Sequence, residues 1–235
     1  MEYFSQLLLN SLNLIFLIDE DLLEIIALSL KISLTSLFIS CLIGLPLASL
    51  CVVKNFLGKN FIIILFNSLM GLPPVLVGLI LYILFSSSGP LGFLEILYTP
   101  SIMIVAQVIL ILPIIVSLSI QVLEHVLSEY YEMLKSLGAK TKDVAYTILW
   151  DSRFPLLTCV LAGLGRALSE VGAIIIVGGN IAHYTRVMTT TIALETSKGN
   201  LELAVGLGIV LILISIFLNL TVFLIKKMTK EISYD

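Results

Sequence analysis

The sequence predicts an all-α polytopic membrane protein with five transmembrane helices, amino terminus outside and carboxyl terminus inside. Three observations predict it. Of 235 residues, 59% are hydrophobic and 12% charged, roughly half the charged share of a soluble domain, and the mean hydropathy is +1.12. Apolar runs recur at about the 20 residues a helix needs to cross a bilayer, where every backbone N–H and C=O has to be satisfied internally. The basic residues are spread unevenly over the connecting segments, which sets orientation. A soluble fold, a disordered chain and a coiled coil are excluded by the same composition.

Residues 1–24 form an amino-terminal segment distinct from the transmembrane domain of 25–235. Positions 3–18 are apolar but short, carry Ser5, Asn10, Ser11 and Asn13, and run into Asp19, Glu20, Asp21 and Glu24. They read as an interfacial helix. A cleaved signal peptide would show a basic start and a small-residue cleavage site.

The spans follow in order. Residues 32–53, 61–85 and 101–123 carry no charge, 156–177 is interrupted by Arg166 and Glu170, and 203–225 is uncharged and ends at Lys226 and Lys227. Lys31 lies near the outer end of the first span and can snorkel to the interface. With the amino terminus outside, nine basic residues fall on the inner flanks, from Lys54 to Lys230, against Arg186 and Lys198 outside. Pro73 and Pro74 remove two backbone donors from the second span and should kink or break it, and Pro46 and Pro113 act singly in the first and third. Such bends serve either a transport path or packing. Arg166 and Glu170, four apart on one helix, would share a face and pair. The pair reads as a structural ion pair or as part of a gate, with the structural role favoured.

The longest polar stretch, 124–153, reads as two short helices around a glycine corner. Ser128 can cap the first, which carries Tyr130, Tyr131, Leu134 and Leu137, and Gly138 can end it in a left-handed conformation. Thr141 can cap the second, with Asp143 in its first turn and Val144, Ala145, Ile148 and Leu149 as its apolar stripe. The hairpin either packs on itself or offers that face to a partner.

These residues carry a resemblance. Glu132, Ser136-Leu137-Gly138-Ala139 and Ile148-Leu149-Trp150 resemble the EAA loop of ABC importer permease subunits, with Met133 and Leu134 in place of the two alanines. The stretch from Gly165 to Ala173 is similar to the Gly-Arg-Ala-x-x-Glu-x-Gly-Ala segment of oxyanion permeases. With Val177-Gly178-Gly179-Asn180-Ile181 and Thr185-Arg186-Val187-Met188-Thr189-Thr190, the chain most resembles the tungstate permeases, relatives of the molybdate ones, from about residue 25 onward.

The resemblance implies a type I ABC importer permease fold in a bacterial-type inner (plasma) membrane. It implies a homodimer, a separate ATPase subunit that holds the ATP and magnesium, and an extracytoplasmic substrate-binding protein that delivers tungstate or molybdate. It assigns coupling to the ATPase to Glu132, Ser136, Leu137, Gly138, Ala139, Ile148 and Leu149. Apart from membrane lipid no further partner is expected, and nucleic acid is not among them. The chain itself is expected to bind no cofactor and no metal. It has no phosphate loop, since Gly58-Lys59 lacks both the preceding glycine and the following hydroxyl.

Outside, residues 178–200 hold a turn at Gly178-Gly179-Asn180, then Thr185, Arg186, Thr189 and Thr190. Arginine and hydroxyl donors suit a tetrahedral oxyanion, although a loop helix that only touches a binding protein is the favoured reading. Cys41, Cys51 and Cys159 lack paired spacing and indicate neither a disulfide framework nor a metal site. An enzyme is not indicated, because His125 and His183 fall at opposite faces. The alternative transporter class is a stand-alone ion-coupled carrier, for which Glu170 is the sole intramembrane acid.

Overall fold

The structure, a computed structural model, describes the backbone of residues 20–232 and the side chains of 20–224. The interfacial helix expected at 3–18 lies outside the described residues. Among them the helices are α1 (Glu20–Val53), α2 (Lys59–Leu69), α3 (Pro74–Phe85), α4 (Pro100–Ser136), α5 (Thr141–Asp151), α6 (Arg153–Leu168), α7 (Gly172–Gly178), α8 (Met188–Lys198) and α9 (Leu201–Ile232), with a 3-10 turn at Gly92–Leu94. The fold is all-α and polytopic. Three helices, α1, α4 and α9, are long and apolar enough to cross a membrane by length and composition. The number rises to five if the pairs α2 with α3 and α5 with α6 each count as one bent span.

Two of the expected spans are therefore not single helices. The second breaks at residues 70–73, and Pro74 opens α3, where a missing N–H costs nothing because the first turn has no intrahelical acceptor for it. The fourth stops at Leu168 and resumes as α7 at Gly172. At 1.5 Å per residue α6 is about 24 Å long, short of a hydrocarbon core of roughly 30 Å. Pro46 and Pro113, by contrast, sit inside continuous helices.

The first loop helix expected after residue 124 is not separate either. It is the end of α4, a 37-residue helix of about 55 Å. Residues 124–136 contain neither glycine nor proline, so nothing stops it. Ser128 is no cap: its hydroxyl donates back to His125 O at 2.7 Å.

The chain divides into two compact units. In the unit of residues 36–73 and 108–167, Ala48, Cys51 and Val52 of α1 pack with Val116, Ile120 and Leu123 of α4. Ile148 of α5 and Leu156 and Cys159 of α6 complete that core. The cysteines are free and serve as apolar filler. The bend of 72° between α5 and α6 falls at Ser152. Pro155, three residues on, cannot donate to Asp151 O and would clash with it in a straight helix.

In the unit formed by the described residues up to 35, 74–107 and those from 168 onward, α3 packs on α7 and α8 on α9. Gly78 makes the first contact close. A Cβ there would lie 2.9 Å from Ala173 Cα and 3.1 Å from Ala173 O, the small-residue approach that membrane helices use. Tyr98 N donates to Val177 O at 2.9 Å, which ties the connection before α4 to the end of α7.

Candidate functional site

The glycine corner is built as the sequence predicts. Gly138 holds φ at +66°, its N–H donates to Lys135 O, and Ala139 N donates to Leu134 O, both at 3.1 Å. These two bonds are the Schellman arrangement, which satisfies carbonyls that the end of a helix otherwise leaves open. The following helix starts one residue earlier than expected. Lys140, not Thr141, occupies the cap position, and its N–H is met by Asp143 Oδ2 at 3.3 Å. The acid in the first turn also suits the helix dipole.

The hairpin divides its apolar residues between two faces. Leu134 and Ile148 are buried, and Ile148 anchors α5 in the core described above. Leu137, Tyr146 and Trp150 are 74%, 69% and 57% exposed, and Tyr131 and Met133 are exposed beside them. Tyr146 stacks on Trp150 with ring centroids 6.4 Å apart and planes at 12°. Lys135 Nζ lies 5.6 Å from the Tyr131 ring centroid, near enough for a cation–π contact. Of the coupling residues named from the sequence, Glu132, Ser136, Leu137 and Gly138 are exposed, Ala139 and Leu149 half-buried, and Ile148 buried. The sequence reading missed Tyr146. The signal was its spacing of four from Trp150, which puts two large rings on one helical face.

Glu170 lies in the break between α6 and α7, so it and Arg166 do not share one helical face as expected. Its buried carboxylate accepts from Ala173 N at 3.0 Å, meeting an N–H of the first turn of α7 that has no intrahelical partner. Its carbonyl accepts from Thr189 Oγ1 at 2.8 Å. Arg166 is half-buried in α6. Pro73 lies in the α2–α3 break and Pro74 is the first residue of α3.

The segment of residues 178–200 folds on itself. Gly179 and Asn180 take left-handed conformations. Thr185 Oγ1 donates to Gly178 O at 2.6 Å and accepts from Ile181 N at 2.9 Å. Thr190 Oγ1 donates to Asn180 Oδ1 at 2.9 Å and accepts from Val187 N at 3.1 Å. Every threonine hydroxyl named from the sequence is thus directed at an acceptor within the chain. Arg186 is half-buried, and its Nε makes no hydrogen bond among the described residues. Nearby, Met188 N donates to Ser29 Oγ at 2.8 Å. His183 Nδ1 lies 2.8 Å from Glu24 Oε2 and 3.9 Å from Asp21 Oδ1. Its pKa is raised by the hydrogen bond to Glu24 and then by the charges of Glu24 and Asp21. At the far end of α8, Lys198 and Asn200 both donate to Glu195. The Lys198 bond is the main cause that holds the Glu195 carboxyl below the usual glutamate value.

Residues 40–229 match the family described as binding-protein-dependent transport system inner membrane component. The chain belongs to this family. The permease is 37% identical over 216 residues to the "Probable anion ABC transporter permease protein" of Haloferax volcanii, covering 90% of this chain and 91% of that protein. It is 37% identical over 227 residues to the tungstate uptake system permease protein TupB of Peptoclostridium acidaminophilum, covering 97% of this chain and all of the relative. With the TupB of Campylobacter jejuni it shares 36% identity over 93% of this chain and 91% of the other. The permease is a multi-pass protein of the inner membrane and a transport subunit, not an enzyme.

Proposed function

We propose that the permease forms the transmembrane path of an ABC importer for a small tetrahedral oxyanion, tungstate in the first place. In this reading it pairs as a homodimer, receives its cargo from a substrate-binding protein, and is driven by ATP hydrolysis on a separate ATPase subunit. The observation that carries the reading is the hairpin. It presents Leu137, Tyr146 and Trp150 to the outside on a corner fixed by two Schellman bonds and anchored by buried Ile148. Exposed aromatic and aliphatic side chains on a rigid support suit a protein partner, since such residues dominate the energy of interfaces. The ATPase groove is the partner this reading assigns to them.

Similarity over essentially the full length of two tungstate uptake permeases supports the choice of cargo. The amino terminus outside and carboxyl terminus inside remain our assignment from the nine-to-two distribution of basic residues. The reading uses the threonines of the outer segment to shape the loop, since their hydroxyls meet acceptors inside the chain. It uses Glu170 to cap the start of α7. A stand-alone ion-coupled carrier would need Glu170 as its proton or sodium site.

Reconstitution with the ATPase and the binding protein tests the reading. Vesicles loaded with ATP, with the binding protein added outside, are expected to accumulate tungstate in preference to molybdate and sulfate. Uptake by the permease alone along a proton or sodium gradient would overturn it.

A further inference from the structure

The unit of residues 36–73 and 108–167 carries an open groove whose lining, apart from Leu149, contains none of the residues assigned to coupling. It has a volume of about 480 Å3 between α1 and the α5–α6 bend, and Arg153 is the one charged residue in its lining. On α1 it extends from Phe38 to Pro46, about 12 Å of helix. That is close to one leaflet of a hydrocarbon core roughly 30 Å thick. Phe38 and Leu42 stand exposed at its rim.

Arg153 is held in place. Its Nη1 donates to Trp150 O at 2.8 Å, and the guanidinium lies 4.9 Å from the Trp150 ring centroid and 4.7 Å from that of Phe154. That hydrogen bond uses one of its five N–H donors. A cation with spare donors therefore sits at the edge of an open apolar groove.

We propose that this groove binds an anionic phospholipid, with an acyl chain along α1 and the phosphate on Arg153. Charge favours that occupant, since Arg153 is the charged residue in an otherwise apolar lining. The guanidinium fork matches phosphate oxygens. The proposal needs only that the chain lies in a membrane, and it is independent of the cargo.

The test is native mass spectrometry of the full chain released from nanodiscs of equal phosphatidylglycerol and phosphatidylcholine. Wild type is expected to retain phosphatidylglycerol preferentially. Arg153→Gln should lower that preference about fivefold, the factor for one arginine at an anionic surface, and Arg153→Lys should keep most of it. Leu42→Trp, which fills the groove, should lower retention of both lipids. Cys41 lines the groove and is half-buried, whereas Cys51 and Cys159 are buried, so bound phosphatidylglycerol should slow maleimide labelling of Cys41. Equal retention of the two lipids by wild type overturns the proposal, as does an Arg153→Gln variant with unchanged preference. A Cys41–Cys41 crosslink that forms on oxidation and excludes lipid overturns it in favour of a second copy.

Discussion

Gly138 allows a test in which backbone conformation is the only variable. Its φ is +66°, and a Cβ built on it would meet nothing within 4 Å, so a side chain there collides with no neighbour. The cost of substitution is then the cost of placing an L residue in the left-handed region, about 1–2 kcal/mol, lower for Asn and higher for a β-branched residue. One to two kcal/mol changes a population by roughly 5–30-fold. If the hairpin is the coupling element, Gly138→Val should reduce ATP-driven uptake in reconstituted vesicles by about that factor, and Gly138→Asn should retain most of it. The melting temperature of the purified permease should fall by only a few degrees in Gly138→Val and by less in Gly138→Asn, too little to account for the lost uptake by unfolding. Full uptake by Gly138→Val would refute the coupling role. Equal losses in the two variants would show that something other than the left-handed backbone matters at this position.

Three further outcomes are expected. Gly78→Val places atoms against Ala173 Cα and O, which cannot rotate away, and should cost about 1–3 kcal/mol; an unchanged melting temperature in detergent would mean that α3 and α7 do not pack as described. Glu170→Ala removes the acceptor for Ala173 N and should destabilise the start of α7 by roughly 0.5–2 kcal/mol, as loss of a helix cap does. Glu170→Gln should largely preserve the start of α7, and hydrogen exchange at Ala173 reads the difference. His183 has its pKa raised above the ordinary value of 6.5 by Glu24, so its contribution to stability is fully present below 6.5 and is lost as pH rises through the raised value. An NMR titration should give His183 a midpoint above 6.5, returning toward the ordinary value in Glu24→Gln, and a wild-type midpoint at or below 6.5 would refute the contact.

The class of the fold was legible because it depends on composition and on run length, both of which a single chain carries. So was the corner at Gly138, since a left-handed helix end selects glycine locally. What the sequence hid were the ends of helices inside apolar stretches. Residues 156–177 read as one span interrupted by Arg166 and Glu170, yet the chain leaves the helix at 169–171, where Glu170 and Thr189 supply a hydrogen bond from 19 residues apart. A window of apolar residues cannot register a bond of that range. Pro73-Pro74 was legible as a break for the opposite reason, because proline removes its donors whatever surrounds it. In residues 178–200 the threonines were visible but their partners were not. Thr185 and Thr190 turn to Gly178 O and Asn180 Oδ1, contacts that exist only once the turn at Gly179 has formed.

The continuity of α4 changes how the hairpin can act. Two short helices hinged at residue 124 would have absorbed a push at Gly138 by bending at their own joint. A single helix from Pro100 to Ser136 leaves no such joint, and the one weak point along it is Pro113, where a backbone hydrogen bond is missing. Under the proposed function, a displacement of the corner is carried by about 55 Å of helix. The second arm behaves differently, since α5 meets α6 at a bend of 72° with Ile148 locked in the core. One arm of the hairpin is thus a stiff rod and the other a pinned elbow. Motion imposed at Leu137 is accordingly expected to travel along α4, with α5 serving as the pivot.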